Sequence, residues 1–357
     1  MDKKLLNWYK KNSRDLPWRR SQDPYYIWLS EIMLQQTQVI TVIDYYKRFV
    51  ERFKTVTDLA LAEELEVLKY WEGLGYYSRA RNLHKCAKEI VSRYGGHFPT
   101  KYQDLLALPG IGPYTAGAIA SIAFNEKVPA VDGNVMRVYS RVFCLDCDIS
   151  DPKSRLVFEK KVMETMPDDA RHFNQAIMEL GAMICTPKTP KCTLCPLKKE
   201  CKANRLGSQL LYPIKSKKPV KKHEQVFVFI FCFNGKIMIE KRNEALLLKG
   251  LWGFPTHHID LPAKSVLDSD FMAPTILESV SADYDLKGSI RWLKPVKNHV
   301  FTHLVWHMTL VLVDVESLNE IDYPEVNWIK PSDLVVYPLP TAFKKNISEA
   351  LMAELEK

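Results

Sequence analysis

The chain has 357 residues, 46% of them hydrophobic and 26% charged, with 14 Gly and 21 Pro; it is too apolar for a disordered chain, and its length suggests two domains. Fifty Lys and Arg against 42 Asp and Glu leave a net charge of +8, which favours polyanionic partners without singling one out, because each cation that meets a phosphate releases condensed counterions. The longest uninterrupted apolar run, Val226 to Phe233, is far short of the roughly 20 residues that span a bilayer. The first residues, Asp2, Lys3 and Lys4 running into Leu5, Leu6, Asn7 and Trp8, lack the apolar stretch of a secretion signal. A cytoplasmic protein with no membrane partner is expected. Eight cysteines are too few for a secreted disulfide scaffold of this length, and clustered thiols in a reducing compartment more often bind metal.

Residues 1 to about 203 read as helices. In WLSEIMLQQT, Glu31 lies among Trp28, Leu29, Ile32, Met33 and Leu34, and is followed by Gln35, Gln36 and Thr37. Such a glutamate either faces solvent on an amphipathic helix or occupies a pocket, where loss of hydration raises its pKa from about 4.3 toward neutrality. Leu83, Cys86, Ala87, Ile90 and Val91 recur at helical spacing, as do Ile177, Leu180, Met183 and Ile184. LLALPGIGPYTAGAIASIAF, Leu105 to Phe124, reads helix, tight turn, helix. Gly110 and Gly112 are expected to take backbone conformations closed to other residues, and Pro113 to open the second helix. Such a turn presents amide N–H groups to a phosphate, or is a plain helical hairpin. VDGNVMR sets Asp132 and Asn134 around Gly133 at a helix start, where the carboxylate is an N-cap or a catalytic group. A raised acid paired with an ionised aspartate is what glycosidic cleavage through a cationic sugar requires.

Cys185, Cys192, Cys195 and Cys201 are separated by six, two and five residues, with Pro187, Pro190 and Pro196 between them. Only Cys192 and Cys195 form the close pair usual in zinc sites, while an iron–sulfur cluster tolerates uneven spacing. The spacing favours a 4Fe-4S cluster over zinc or plain thiols. The second pair, Cys144 and Cys147, has no further cysteine nearby and reads as incidental. Residues 204–224, rich in Lys and holding Pro213 and Pro219, read as a basic linker. VFVFIFCF, Asn234-Gly235 and KIMIEKR then read as two strands and a tight hairpin turn. Thr309 to Val315 reads as a strand and Ser348 to Leu355 as a helix, so the second half is α+β.

These motifs in this order, WYKKNSRDLPWR, LSEIMLQQTQV, GLGYYSRARNL, LPGIGPYTAGAIASIAF, VDGNVMRV, FNQAIMELGAMIC and the four-cysteine loop, resemble the endonuclease III superfamily of DNA base-excision glycosylases, and within it the MutY adenine DNA glycosylases. The resemblance implies a multi-domain fold. Residues 1–203 would form an all-α helix-hairpin-helix glycosylase domain carrying one 4Fe-4S cluster on Cys185, Cys192, Cys195 and Cys201. Residues 204–224 would link it to an α+β, Nudix-like domain at 225–357. It implies a monomer in the cytoplasm, associated with the nucleoid, acting on double-stranded DNA that contains adenine opposite 8-oxoguanine or guanine and flipping the adenine into a pocket.

By the same resemblance Glu31 is the acid that protonates adenine, Asp132 stabilises the oxocarbenium-like sugar and Asn134 orients the site. Tyr114 stands where lyase-competent relatives carry a lysine, so a monofunctional glycosylase is expected. Arg14, Leu16, Trp18, Arg19, Val39 and Gln175 match the adenine pocket. Gln36 and Tyr76 match residues that enter the base stack, and Gly110 and Gly112 the turn that holds phosphate. LKGLWGFP, Leu248 to Pro255, resembles the segment before the catalytic helix of Nudix pyrophosphohydrolases. The acidic helix that would hold magnesium is missing from the following thirty or so residues, so this domain is expected to recognise and not cut. Phe301, Thr302 and His303 match a Phe-Ser-His loop that reads 8-oxoguanine. The competing readings are a bifunctional glycosylase with lyase activity and a non-enzymatic iron–sulfur DNA-binding protein.

Overall fold

The computed structural model describes residues 1–216, 220–243, 247–262, 267–317, 323–344 and 347; the helix expected at Ser348 to Leu355 lies outside them. The chain divides into two compact units, Met1–Tyr70 with Ser78–Lys217, and Trp71–Tyr77 with Lys218–Lys357.

The first unit is helical: α1 Asp2–Asn12, α2 Pro24–Leu34, α3 Val39–Arg52, α4 Val56–Leu61, α5 Glu64–Trp71, α6 Ser78–Tyr94, α7 Tyr102–Leu106, α8 Pro113–Phe124, α9 Gly133–Phe143, α10 Ser154–Thr165, α11 Ala170–Met183 and α12 Lys202–Arg205. Helix α2 starts where Asp23 caps the Tyr25 amide and Pro24 supplies a helical φ. It is apolar on nearly every side, and Ile27 to Met33 are all buried. Glu31 goes into the interior with them. Helix α8 has the same character, with Thr115 to Ile122 buried. Helix α9 is amphipathic and turns Val135, Val138, Tyr139 and Val142 inward. Helix α11 runs close against it, because Gly181 offers no side chain: a Cβ there would lie 2.6 Å from Asn134 Cβ.

Two sequence expectations need correction. Gly110 has φ +73°, and a Cβ would meet Asn82 at 2.6 Å, so this position does require glycine. Gly112 does not: it is the extended N-cap of α8 at φ −88°, with open space where a Cβ would project. Residues 204–224 are also not a free linker. Residues 204 and 205 belong to α12, and β1 begins at Lys222. Between them Ile214 O accepts from the Ile149 amide at 3.0 Å, Tyr212 O from Arg141 Nε at 3.0 Å, and Asp148 accepts the Ser216 amide at 3.1 Å. Lys215 and Lys222 are exposed, while the backbone at residues 212–216 is bonded to the helical unit.

The second unit holds an eight-stranded sheet with β1 Lys222–Phe233, β2 Lys236–Lys241, β3 Trp252–Gly253, β4 Thr256–Leu261, β5 Lys287–Pro295, β6 His299–Val300, β7 Leu304–Ser317 and β8 Val326–Ile329, and a long helix, α13 Ser269–Ala282. The main path is β3-β2-β1-β7-β5, and β1 lies parallel to β7 from Lys222 opposite Leu304 to Cys232 opposite Asp314. The uninterrupted apolar run of β1 follows from burial on both faces. Val226, Val228 and Ile230 pack with Phe254, Trp306 and Phe343, while Phe227, Phe229 and Phe231 pack with Ala273, Ile276 and Val280 of α13. The hairpin turn at Asn234-Gly235 takes positive φ at both residues, as a type I' turn requires.

Candidate active site

A cavity of about 630 Å³ opens in the helical unit. Glu31, Tyr114, Asp132 and Asn134 line it together with Arg14, Leu16, Trp18, Arg19, Gln36, Val39, Gly112 and Gln175. Helices α2, α8, α9 and α11 and the turn at Pro17–Arg19 thus bring to one space residues spread over 160 positions of sequence. Gly110 and Tyr76 do not line it.

Glu31 is 7% exposed. Burial pushes its carboxyl up to about 7, with the Asp132 charge acting in the same direction; the hydrogen bond from Tyr114 and the charge of Arg19 pull the other way. The Tyr114 hydroxyl donates to Glu31 Oε2 at 2.5 Å and lies 3.3 Å from Met178 Sδ. Asp132 is the N-cap of α9 and also lines the cavity. One oxygen caps α9 by accepting the Val135 amide at 2.8 Å, and the other accepts from Asn134 Nδ2 at 2.6 Å. Burial raises its carboxyl too, but those bonds and the Arg137 charge oppose the rise. The two acids therefore sit in one cavity with different surroundings, Glu31 among apolar residues with the single Tyr114 donor and Asp132 bonded to the Val135 amide and Asn134.

Three charged residues of this region were not picked out by the sequence reading. Glu179 of α11 is 1% exposed and accepts from both Arg14 and Arg19, each through two nitrogens. Burial opposes its ionisation, yet the two guanidiniums hold its carboxyl at about 2. Arg137 donates to Asn134 Oδ1 at 2.7 Å, Gly181 O at 2.8 Å and Cys185 O at 2.8 Å, and so ties the Asp132 cap to the cysteine loop. Arg141, also buried, donates to the carbonyls of Thr186, Pro187 and Tyr212 and reaches Cys185 Sγ at 3.3 Å. A charged residue on a helix reads from sequence as a solvated face; only the spacing of Glu179 with buried Ala176, Ile177 and Leu180 hinted otherwise.

Cys185, Cys192, Cys195 and Cys201 line one further cavity with Arg141, Leu180 and Ile184, and none of the eight cysteines forms a disulfide. Among the described residues no three His, Cys, Asp or Glu side chains are set close enough to hold a single metal ion. Four thiols around one space form a donor set whose chemistry suits zinc or an iron–sulfur cluster. Cys144 and Cys147 pack on the hydrophobic core instead.

Two candidate wedge residues carry left-handed backbone, Gln36 at φ +57° and Tyr76 at φ +50°, a conformation that costs energy in a residue with a side chain and concentrates at functional sites. Within the second unit the Tyr76 and Thr302 hydroxyls are 2.7 Å apart. Thr302 and His303 are exposed at the turn before β7. Lys221 Nζ donates to Phe301 O at 2.6 Å, and the Phe301 ring packs edge-on against Trp306.

The helical hairpin and its cavity place the chain among helix-hairpin-helix repair proteins: residues 29–164 match the HhH-GPD superfamily of base excision DNA repair proteins, and residues 226–349 match the NUDIX domain family. A solved thermostable thymine-DNA glycosylase shares 30% identity and a TM-score of 0.53 over 57% of this chain and 94% of its own. An adenine DNA glycosylase of Buchnera aphidicola subsp. Schizaphis graminum is 35% identical over 319 residues, covering 87% of this chain and 86% of that one. One of Arabidopsis thaliana is 37% identical over 348 residues, and there the chain spans only 55% of the relative's length. The chain belongs to the adenine DNA glycosylase family. No helix among the described residues is long and apolar enough to cross a membrane.

Proposed function

We propose that this protein hydrolyses the N-glycosidic bond of adenine in duplex DNA where adenine is mispaired with 8-oxoguanine or guanine. The observation that carries the reading is the pair Glu31 and Asp132, one buried and one half-buried carboxyl on one cavity with unlike surroundings. Glu31, held near neutrality by burial, gives its proton to a ring nitrogen of the flipped base, which then departs neutral. Asp132, fixed by the Val135 amide and Asn134, faces the positive charge that grows on the sugar as the bond breaks. Water then adds to that sugar carbon, and the proton it releases returns to the ionised Glu31. Tyr114 has a phenol and no amine, so no imine forms and the strand remains intact at the abasic site.

In this reading the cavity arginines, Leu16, Trp18, Val39 and Gln175 surround the base, Gln36 and Tyr76 occupy the stack it leaves, and the turn at Gly110 and Gly112 holds phosphate. Phe301, Thr302 and His303 read the opposite base. Cys185, Cys192, Cys195 and Cys201 would hold a 4Fe-4S cluster, which when bound would cross-link this loop through its thiolates. The residue assignments rest on the cavity geometry and on the resemblance of motifs.

Incubation of the purified protein with duplexes carrying A opposite 8-oxoguanine, G or T, under single-turnover conditions, tests the proposal. Free adenine from the first two duplexes, with strand scission only after alkali, is expected. Release of a pyrimidine, or scission without alkali, would replace this reading with the bifunctional one. DNA binding without base release would favour the non-enzymatic one.

A further inference from the structure

Glu179 has no part in the steps above, yet it is the most completely engaged carboxylate of the cavity. It accepts from Arg14 Nε at 2.8 Å, Arg14 Nη2 at 2.6 Å and the Arg14 amide at 2.9 Å, and from Arg19 Nη1 at 3.0 Å and Nη2 at 2.8 Å. Arg19 Nη1 also donates to Arg14 O at 3.1 Å, and its guanidinium carbon lies 5.6 Å from the Tyr9 ring centre. We infer that Glu179 is a positioning residue of the excision reaction, holding Arg14 and Arg19 as fixed donors on the cavity wall and balancing the charge that Arg19 turns toward Glu31. This rests on the proposed adenine excision.

Two guanidiniums that share one carboxylate repel each other once it is removed, and Arg14, the more exposed of the two at 34% against 17%, is the one that swings away, while Arg19 stays packed near the Tyr9 ring. With Glu179 in place their bidentate faces are taken, and Arg14 Nη1 and Arg19 Nε are left to meet the ring-nitrogen acceptors of a purine. The charge argument is directional. Glu31 faces Tyr114 from α8, Asp132 from the cap of α9 and Arg19 from the turn at Pro17–Arg19, while Arg79 of α6 donates to the carbonyls of Ile32 and Met33 on Glu31's own helix. Of these, Arg19 is the cation that favours ionised Glu31. Without Glu179 behind it, Arg19 acts on Glu31 at full charge, and Glu31 loses its proton at lower pH.

The test reads Glu31 directly. In protein labelled with carbon-13 at the glutamate carboxyls, the Glu31 resonance is the one lost in Glu31→Gln, and its titration is followed in wild type, Glu179→Gln and Glu179→Asp, beside single-turnover adenine release. Glu179→Gln is expected to lower the Glu31 midpoint by about one pH unit and to slow release at pH 7 about tenfold or more. Glu179→Asp, which keeps the charge on a shorter arm, is expected to shift both in the same direction by less. Circular dichroism and thermal melting establish that each variant is folded. If Glu179→Gln does not fold, Glu179→Asp decides: a wild-type midpoint and rate overturn the inference. A folded Glu179→Gln with an unmoved midpoint also overturns it, even if slow, because a purely structural role produces that result. Failure of the wild type to release adenine strikes the proposed function alone, since the resonance still reports whether Glu179 governs Glu31.

Discussion

The Tyr114 hydroxyl lies 2.5 Å from Glu31 Oε2 and donates to it, joining the start of α8 to the middle of α2 across the wall of the cavity. That bond favours the ionised carboxylate and works against burial, which favours the protonated one. The balance leaves Glu31 titrating near neutrality, where a group can both hold and give up a proton.

Removing the donor tilts the balance toward protonation. Tyr114→Phe is therefore expected to move the alkaline limb of the single-turnover pH profile upward, with the rate at pH 5 to 6 changed little by that shift. A limb that moves downward would show that Tyr114 does not favour the charged form of Glu31.

Stability carries the same signature with the opposite sign. A carboxyl at about 7 in the folded chain and near 4.5 in the unfolded chain binds more protons when folded, so stability falls as pH rises through that window and the loss is complete above it. Glu31→Gln avoids the loss. It is expected to be more stable than wild type at pH 8, by up to about 3 kcal/mol, and nearly equal at pH 4. Urea titrations at the two values measure the difference, and a variant that is less stable at pH 8 would count against a buried, strained acid.

Arg141 links the cysteine loop to α9 through bonds to the carbonyls of Cys185, Thr186 and Pro187 and to Cys185 Sγ, and also binds the Tyr212 carbonyl. Arg141→Leu leaves those buried acceptors unpaired, at a cost of about 3 kcal/mol or more. The variant is expected to melt lower and to lose iron and brown colour faster under a chelator than wild type does. Colourless wild-type protein with one equivalent of zinc would remove the cluster from the account.

Thr302 meets Tyr76 hydroxyl to hydroxyl. Thr302→Ala is expected to narrow the preference for 8-oxoguanine over guanine about tenfold, the worth of one well-placed hydrogen bond, while Thr302→Ser retains it. Competition between the two duplexes gives the ratio directly. An unchanged ratio in Thr302→Ala would take Thr302 out of base recognition.

The parts legible in the sequence were those written locally. The apolar company of Glu31 left a solvated face and a pocket both open, while the β1 run with its Asn234-Gly235 turn says strand and hairpin, because periodicity and turn chemistry act over a few residues. What was not legible depends on distant partners. Glu179 becomes a cavity residue only because Arg14 and Arg19, some 160 positions earlier, fold against it. The stretch before β1 reads as a linker from its lysines and prolines, and no local pattern shows that Ile149, Arg141 and Asp148 bind its backbone. At Gly112 the motif implied a special conformation, but the residue takes the ordinary extended backbone of the α8 N-cap.

The central claim is that Glu31 must carry a proton for adenine to leave. The rate of single-turnover adenine release from a duplex with A opposite 8-oxoguanine, followed from pH 5 to pH 9, tests it most directly. The expected profile falls tenfold per unit above a midpoint near 7, with Glu31→Gln slower by at least about a hundredfold throughout. A wild-type rate that stays level to pH 9, or a Glu31→Gln variant that releases adenine as fast, would contradict it.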